Sequence, residues 1–106
     1  GMHGIRDKNL LESALSYPQM LHTLTLEQNG YVLAAAYFYH IIQNHPFIDG
    51  NKRIGALAMM TFLKMNGYPI LIPHAKLYEL AISIASSKLH EKEIAYELEK
   101  YASTHN

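Results

Sequence analysis

The chain has 106 residues, with nine Lys+Arg against nine Asp+Glu, so its formal net charge is zero. That balance argues against a dedicated nucleic-acid binder, whose phosphate contacts need a basic excess. The absence of Cys excludes disulfide frameworks, Cys-based zinc sites and thiol nucleophiles, and is compatible with a reducing cytoplasm. Hydrophobic residues reach 49% and charged residues only 17%. This predicts one packed domain over residues 1–106, with either apolar surface left for a partner or part of the native fold lying outside this chain. No apolar run approaches the roughly 18 residues of a membrane span, and no signal peptide is visible. Gly1 ahead of Met2 reads as a scar of tag removal and is left out of the reading.

Asp7 can cap a first helix whose Leu10, Leu11, Ala14 and Leu15 share one face; Pro18 lies beyond its expected end. From Met20 to Leu26 the residues alternate and include Thr23 and Thr25, which predicts an extended segment or hairpin arm. A second helix is expected over about residues 28 to 44. Tyr31, Val32, Ala35, Ala36, Tyr39 and Ile42 keep its period and the other faces are apolar too, the pattern of a buried helix. Tyr37 or Tyr39 is expected to border a site. Pro46 stops continuation past His45.

A third, very apolar helix is expected over 51 to 66, with Met59, Met60 and Met65 as core filler and Gly67 as its stop. Ile70, Leu71 and Ile72 form a short extended piece. A fourth helix over 74 to 87 turns Leu77, Leu80, Ala81 and Ile84 inward. A fifth over 91 to 102 carries Ile94, Leu98 and Tyr101 at helical spacing. The charged residues at 91–93 and 97–100 read as solvated faces. His40 and His45 are five apart, not the spacing of a helical metal pair. The fold class is therefore all-α: a compact bundle with two buried central helices joined by a loop, plus a short extended flap.

That loop, His45-Pro46-Phe47-Ile48-Asp49-Gly50-Asn51-Lys52-Arg53, holds a base, a carboxylate, an amide and two cations within nine residues. Gly50 permits a tight turn and close approach to a ligand. The first N–H groups of the third helix then form an anion site. Lys52 and Arg53 stand at a helix N-terminus, where cations are electrostatically unfavourable unless an anion is bound. A polyphosphate answers all of these features. Asp49 offers a hard oxygen for Mg²⁺ on the phosphates. His45 is suited to take a proton from a hydroxyl.

The same stretch resembles the signature of the Fic/Doc superfamily. The Fic pattern is HPFx[D/E]GNGRxxR; this chain reads HPFIDGNKRIGA. The NKR centre is similar to the Doc (death-on-curing) branch, as are Gly4-Ile5-Arg6-Asp7, Leu10-Leu11-Glu12-Ser13-Ala14 and Asn66-Gly67-Tyr68. The resemblance implies the Fic-fold helical bundle. It implies His45 as general base, Phe47 as loop anchor, Asp49 as Mg²⁺ ligand, and Gly50, Asn51, Lys52 and Arg53 as phosphate contacts. It also implies ATP and Mg²⁺ as cofactors.

In the family, part of a nucleotide, usually AMP, passes to a protein hydroxyl. The Doc branch instead transfers a phosphoryl group, as the toxin of a toxin–antitoxin pair with a translation factor as target. Two departures from the Fic pattern favour phosphoryl transfer. Lys52 replaces a Gly, and Ala56 replaces the second Arg, which removes a phosphate anchor. AMP transfer is the alternative, and a non-catalytic Fic-fold binding module is a third reading. The Met20–Leu26 stretch falls where the family has its flap, which implies Thr23, Leu24 and Thr25 in docking the target as an added strand. The family's self-inhibitory pattern [S/T]xxxE[G/N] fails at Ser87–Glu91, since Lys92 follows. A separate antitoxin protein is then expected, with no nucleic acid and no membrane as partner and a cytoplasmic location. The family's usual segment upstream of Gly4 is expected to be missing.

Overall fold

Helix boundaries fall where side chains or glycine interrupt the backbone ladder. The computed structural model describes residues 4–25, 28–68 and 70–105, without the side chains of Leu24, Thr104 and His105. Asp7 Oδ1 accepts from the Leu10 N–H at 3.1 Å and opens α1 (Lys8–Thr25). Asn29 Oδ1 accepts from Tyr31 and Val32 at 2.8 and 3.4 Å and opens α2 (Gly30–Asn44). Gly50, at φ 80°, opens α3 (Asn51–Met65), and Pro73 opens α4 (His74–Ala85). Ahead of α5 (Glu91–His105), the His90 N–H donates to Glu93 Oε1 at 3.0 Å, half of a capping box. Among the described residues the expected five-helix, all-α bundle is found.

The extended flap is not. Residues 20–25 are the last part of α1, which continues through Pro18. Leu26 lies outside the described residues. Proline removes one ladder bond and crowds the preceding turn, but Pro18 is buried here, and His22 and Thr23 beyond it line a hollow with Leu33 and Tyr37 of α2. Thr25 Oγ1 satisfies itself by donating to the Leu21 carbonyl, so a threonine that suggested a strand serves a helix. Tertiary packing has overruled local propensity.

Helix α2 is the axis, in contact with each of the other four helices. Ala34, Ala35, Ala36, Phe38, Ile41 and Ile42 are all buried. Helix α3 is not buried all round, contrary to expectation. Its buried residues are Asn51, Gly55, Met59 and Leu63, a stripe one residue wide at i, i+4 spacing. Leu57 and Met65 are 66% and 79% exposed, so Met65 is not core filler. The close approach of α2 and α3 occurs at Gly55, where a Cβ would stand 3.2 Å from the Phe38 carbonyl oxygen and from Ile42 Cγ1. The core is completed by Leu80, Ala81 and Ile84 of α4 and Ile94 and Leu98 of α5.

Two charges expected in solvent are partly buried instead. Glu91 lies 2.7 Å from His40 Nε2, joining α5 to α2. Glu97 lies 3.0 Å from Lys100 and 3.6 Å from Lys76 of α4. No helix among the described residues is long and apolar enough to cross a membrane.

Candidate active site

Helix α2 ends at His45, which takes a left-handed conformation (φ 52°, ψ 51°) while its N–H donates to the Ile41 carbonyl at 3.2 Å. Outside glycine this conformation costs about 1–2 kcal/mol, and it persists only where the surroundings impose it. Here they do. Residues 4–7 lie alongside the loop, with an antiparallel bridge between Ile5 and Phe47. The Arg6 and Asp7 N–H groups both donate to the Pro46 carbonyl, at 2.6 and 3.0 Å, and Ile48 N–H donates to the Gly4 carbonyl at 2.9 Å. The Arg6 guanidinium donates to the carbonyls of His45 (Nε, 2.7 Å) and Asn44 (Nη2, 3.2 Å). Those oxygens end α2, where a cation is favoured by the helix dipole.

The turn from His45 to α3 is closed by Asn51. Its Oδ1 accepts from the Phe47 N–H and its Nδ2 donates to the Phe47 carbonyl, both at 2.9 Å. The Asn51 side chain is 5% exposed and is spent on the loop, so only its backbone N–H remains for an anion. Phe47 itself is half-buried; the fully buried loop residue is Pro46. Gly50 is required by its φ of 80°; a Cβ there would also stand 2.7 Å from the Arg53 guanidinium, but that exposed, flexible side-chain end can swing aside. No side chain caps α3. Lys52 and Arg53 are exposed and, among the described residues, enter no ion pair. The helix start therefore presents free N–H groups and two cations together.

Two adjoining hollows meet at this point. One, of about 500 Å³, runs from Asp49–Arg53 along α3 past Ala56, Leu57 and Met60 to His74, Leu77 and Tyr78 of α4. The other, of about 320 Å³, contains His45 and Ile48 and shares Asp49, Gly50, Asn51 and Lys52 with the first. A phosphate group at the α3 start would thus sit between a largely apolar cleft and the imidazole. The structure brings His45, Asp49, Gly50, Asn51, Lys52 and Arg53 to one place. It does not bring the flap residues there. Thr23 lines a separate hollow with Leu33, Tyr37 and Phe62, which shares no residue with the other two. Thr25 sits on the last turn of α1, and the Leu24 side chain lies outside the described residues.

Arg6 fell in a stretch that resembles the Doc branch but had no role assigned to it, and His74, Leu57 and Tyr78 carried no functional signal in the sequence. His74 follows a legible helix start, Pro73, but nothing in the spacing says that α4 faces α3. Exposed Leu57 and Tyr78 look like ordinary helix residues until the cleft is seen. Among the described residues no three or more His, Asp or Glu side chains converge as a metal cluster. A divalent cation here would be held by Asp49 together with phosphate oxygens, the usual arrangement for Mg²⁺.

The described residues thus form an all-helical bundle whose central helix ends in a left-handed histidine beside an uncapped, cationic helix start. A family model, described as Fic/DOC family, matches residues 1–63. The chain belongs to that family. It is 36% identical over 64 residues to Toxin Doc of Mycolicibacterium smegmatis, covering 59% of this chain and 49% of that protein. It is 45% identical over 53 residues to Protein adenylyltransferase Fic of Drosophila yakuba, covering 49% of this chain and 10% of the relative. For the Drosophila grimshawi protein of that name the figures are 40% over 65 residues, 57% and 14%. The chain thus spans about half the length of the toxin and a small part of the adenylyltransferases.

Proposed function

We propose that the chain transfers a phosphoryl group from ATP to a protein hydroxyl, acting as a Doc-like toxin on a translation factor and restrained by a separate antitoxin. The observation that carries this reading is the shared edge of the two hollows, where His45 and the cationic start of α3 flank the same four residues. In the proposed step, His45 takes the proton of the target hydroxyl. The oxygen attacks the γ-phosphorus, and the bond from that phosphorus to the β–γ bridging oxygen breaks, releasing ADP. Lys52, Arg53 and the free N–H groups of α3 stabilise the charge on the transferring group. Mg²⁺ held by Asp49 and the phosphates would neutralise charge and align the nucleotide. Ala56 lines the cleft where the Fic pattern has its second Arg, which supports a pose with the γ-phosphate toward His45. Exposed Leu57 and Tyr78 along the cleft offer apolar surface to an antitoxin.

A second reading, AMP transfer, is favoured by the relatives named protein adenylyltransferase. It uses the same base with the α-phosphorus as the centre attacked and pyrophosphate as the leaving group.

The deciding experiment incubates the chain and its His45→Ala variant with Mg²⁺, a cytosolic extract and either γ- or α-labelled ATP. Label from the γ position alone, reduced about 10²–10⁴-fold in the variant, is the expected result. Label from the α position would replace the kinase reading by AMP transfer. Undiminished transfer by the variant would remove His45 from the mechanism.

A further inference from the structure

We propose that Arg6 is a positioning residue that holds the imidazole of His45 in place for proton transfer; this rests on the reading of His45 as the base. Three successive carbonyl oxygens, those of Asn44, His45 and Pro46, are all held by residues 6 and 7: the first two by the Arg6 guanidinium, at 3.2 and 2.7 Å, and the third by the N–H groups of Arg6 and Asp7. The orientation of the His45 carbonyl is the ψ angle of His45. A donor gripping that oxygen fixes the peptide plane that follows, and the buried Pro46 ring fixes the next φ. Among the described residues no hydrogen bond reaches the His45 ring itself, so the backbone of residue 45, which sets its Cα–Cβ direction and the rotamers open to it, is what places the ring. That backbone is left-handed, a conformation that relaxes unless held.

The guanidinium has no competing occupation. Among the described residues Arg6 pairs with no carboxylate, and both of its side-chain bonds go to neutral carbonyls at the end of α2. The helix does not need it to stay closed, because the His45 N–H already reaches the Ile41 carbonyl and Asn44 Nδ2 donates to the Leu10 carbonyl at 3.0 Å. What Arg6 adds is the setting of one residue. Lysine would keep the charge but lose the planar fork that spans two adjacent carbonyls.

The test compares Arg6→Ala, Arg6→Lys and a matched charge deletion, Lys8→Ala, whose only ion pair among the described residues is an exposed one to Glu12 at 4.0 Å. Two readouts are taken. The first is the ¹³Cα and ¹³Cβ shift pair of His45, which reports its backbone conformation whether or not transfer is observed. The second is the split between kcat and the KM for ATP in the labelled-transfer assay. Arg6→Ala should move the His45 shifts out of the left-handed range and lower kcat about tenfold or more with KM nearly unchanged, the signature of a misplaced base. Millimolar guanidinium should restore part of that rate. Arg6→Lys should fall between, and Lys8→Ala should match the wild type. If Arg6→Ala does not fold, Arg6→Lys decides by the same two readouts. Unmoved His45 shifts in the folded variants, or a rise in KM with kcat intact, would overturn the proposal. Should the wild type transfer nothing, the mechanism of His45 falls, while the shift pair still decides whether Arg6 sets its conformation.

Discussion

Replacing His45 by Gly separates two burdens that this residue carries. The left-handed conformation costs about 1–2 kcal/mol for a residue with a Cβ and little for glycine. His45→Gly should therefore raise Tm by a few degrees while transfer is lost, a pattern read by scanning calorimetry beside the label assay. A lower Tm would mean that the imidazole itself supports the loop. Asn51 is the opposite case: an amide wholly devoted to structure inside a binding loop. Asn51→Ala leaves the Phe47 N–H and carbonyl without their partner, at a cost of about 1–3 kcal/mol. On a domain of this size that is a Tm loss on the order of 5–15 °C. A loss below a degree or two would show that water replaces the amide freely.

At the scale of the helix, the start of α3, the proposed anion site, presents free N–H groups and two cations that enter no ion pair among the described residues. Tripolyphosphate should raise Tm, by the equivalent of about 2.7 kcal/mol at a hundred times its Kd. Lys52→Ala/Arg53→Ala should lose most of that response; equal shifts in both proteins would place the anion elsewhere. The crossing of α2 and α3 gives a steric prediction. Gly55→Ala adds a Cβ at 3.2 Å from backbone and side chain and should be nearly neutral, because helix propensity offsets the crowding. Gly55→Val should destabilise by about 2 kcal/mol, seen as a lower urea midpoint.

The boundaries of these helices were largely legible, because Asp7, Gly50, Gly67 and Pro73 punctuate them by local chemistry. The nine-residue loop was legible because its residue types converge within one turn of chain. What was hidden depended on packing across the chain. Pro18 and Thr23 suggest a break and a strand, yet that segment rests on α2 as helix. Leu57 reads as core on an apolar helix until α4 is seen to leave a cleft there. Arg6 is thirty-nine residues from the oxygen it grips, and no local pattern records that distance.

For the whole molecule, distant elements are also tied by a polar contact outside the loop. Glu91 of α5 meets His40 of α2, whose ring lies 3.8 Å from that of Tyr17 on α1. Burial, and then the Glu91 carboxylate, raise the Tyr17 pKa above its usual 10.0. The folded chain therefore keeps a proton that the unfolded chain has released, so stability should fall as the solution is raised above about pH 10. Tyr17→Phe should flatten that decline in urea midpoints; an unchanged slope would assign it to other groups.

The seam between residues 4–7 and the loop has a different consequence. Its donors include the amides of Arg6, Asp7 and Ile48, and it closes a short stretch of chain outside the core. Such a unit opens locally at lower free energy than the whole fold. Those three amides should then exchange with deuterium together and well ahead of the centre of α2. If His45 is the base as proposed, the fraction of molecules holding it in place at any instant would be set by that opening and not by Tm. A fully folded population can in this way be throttled, with each 1.4 kcal/mol of seam stability worth about tenfold in its open fraction.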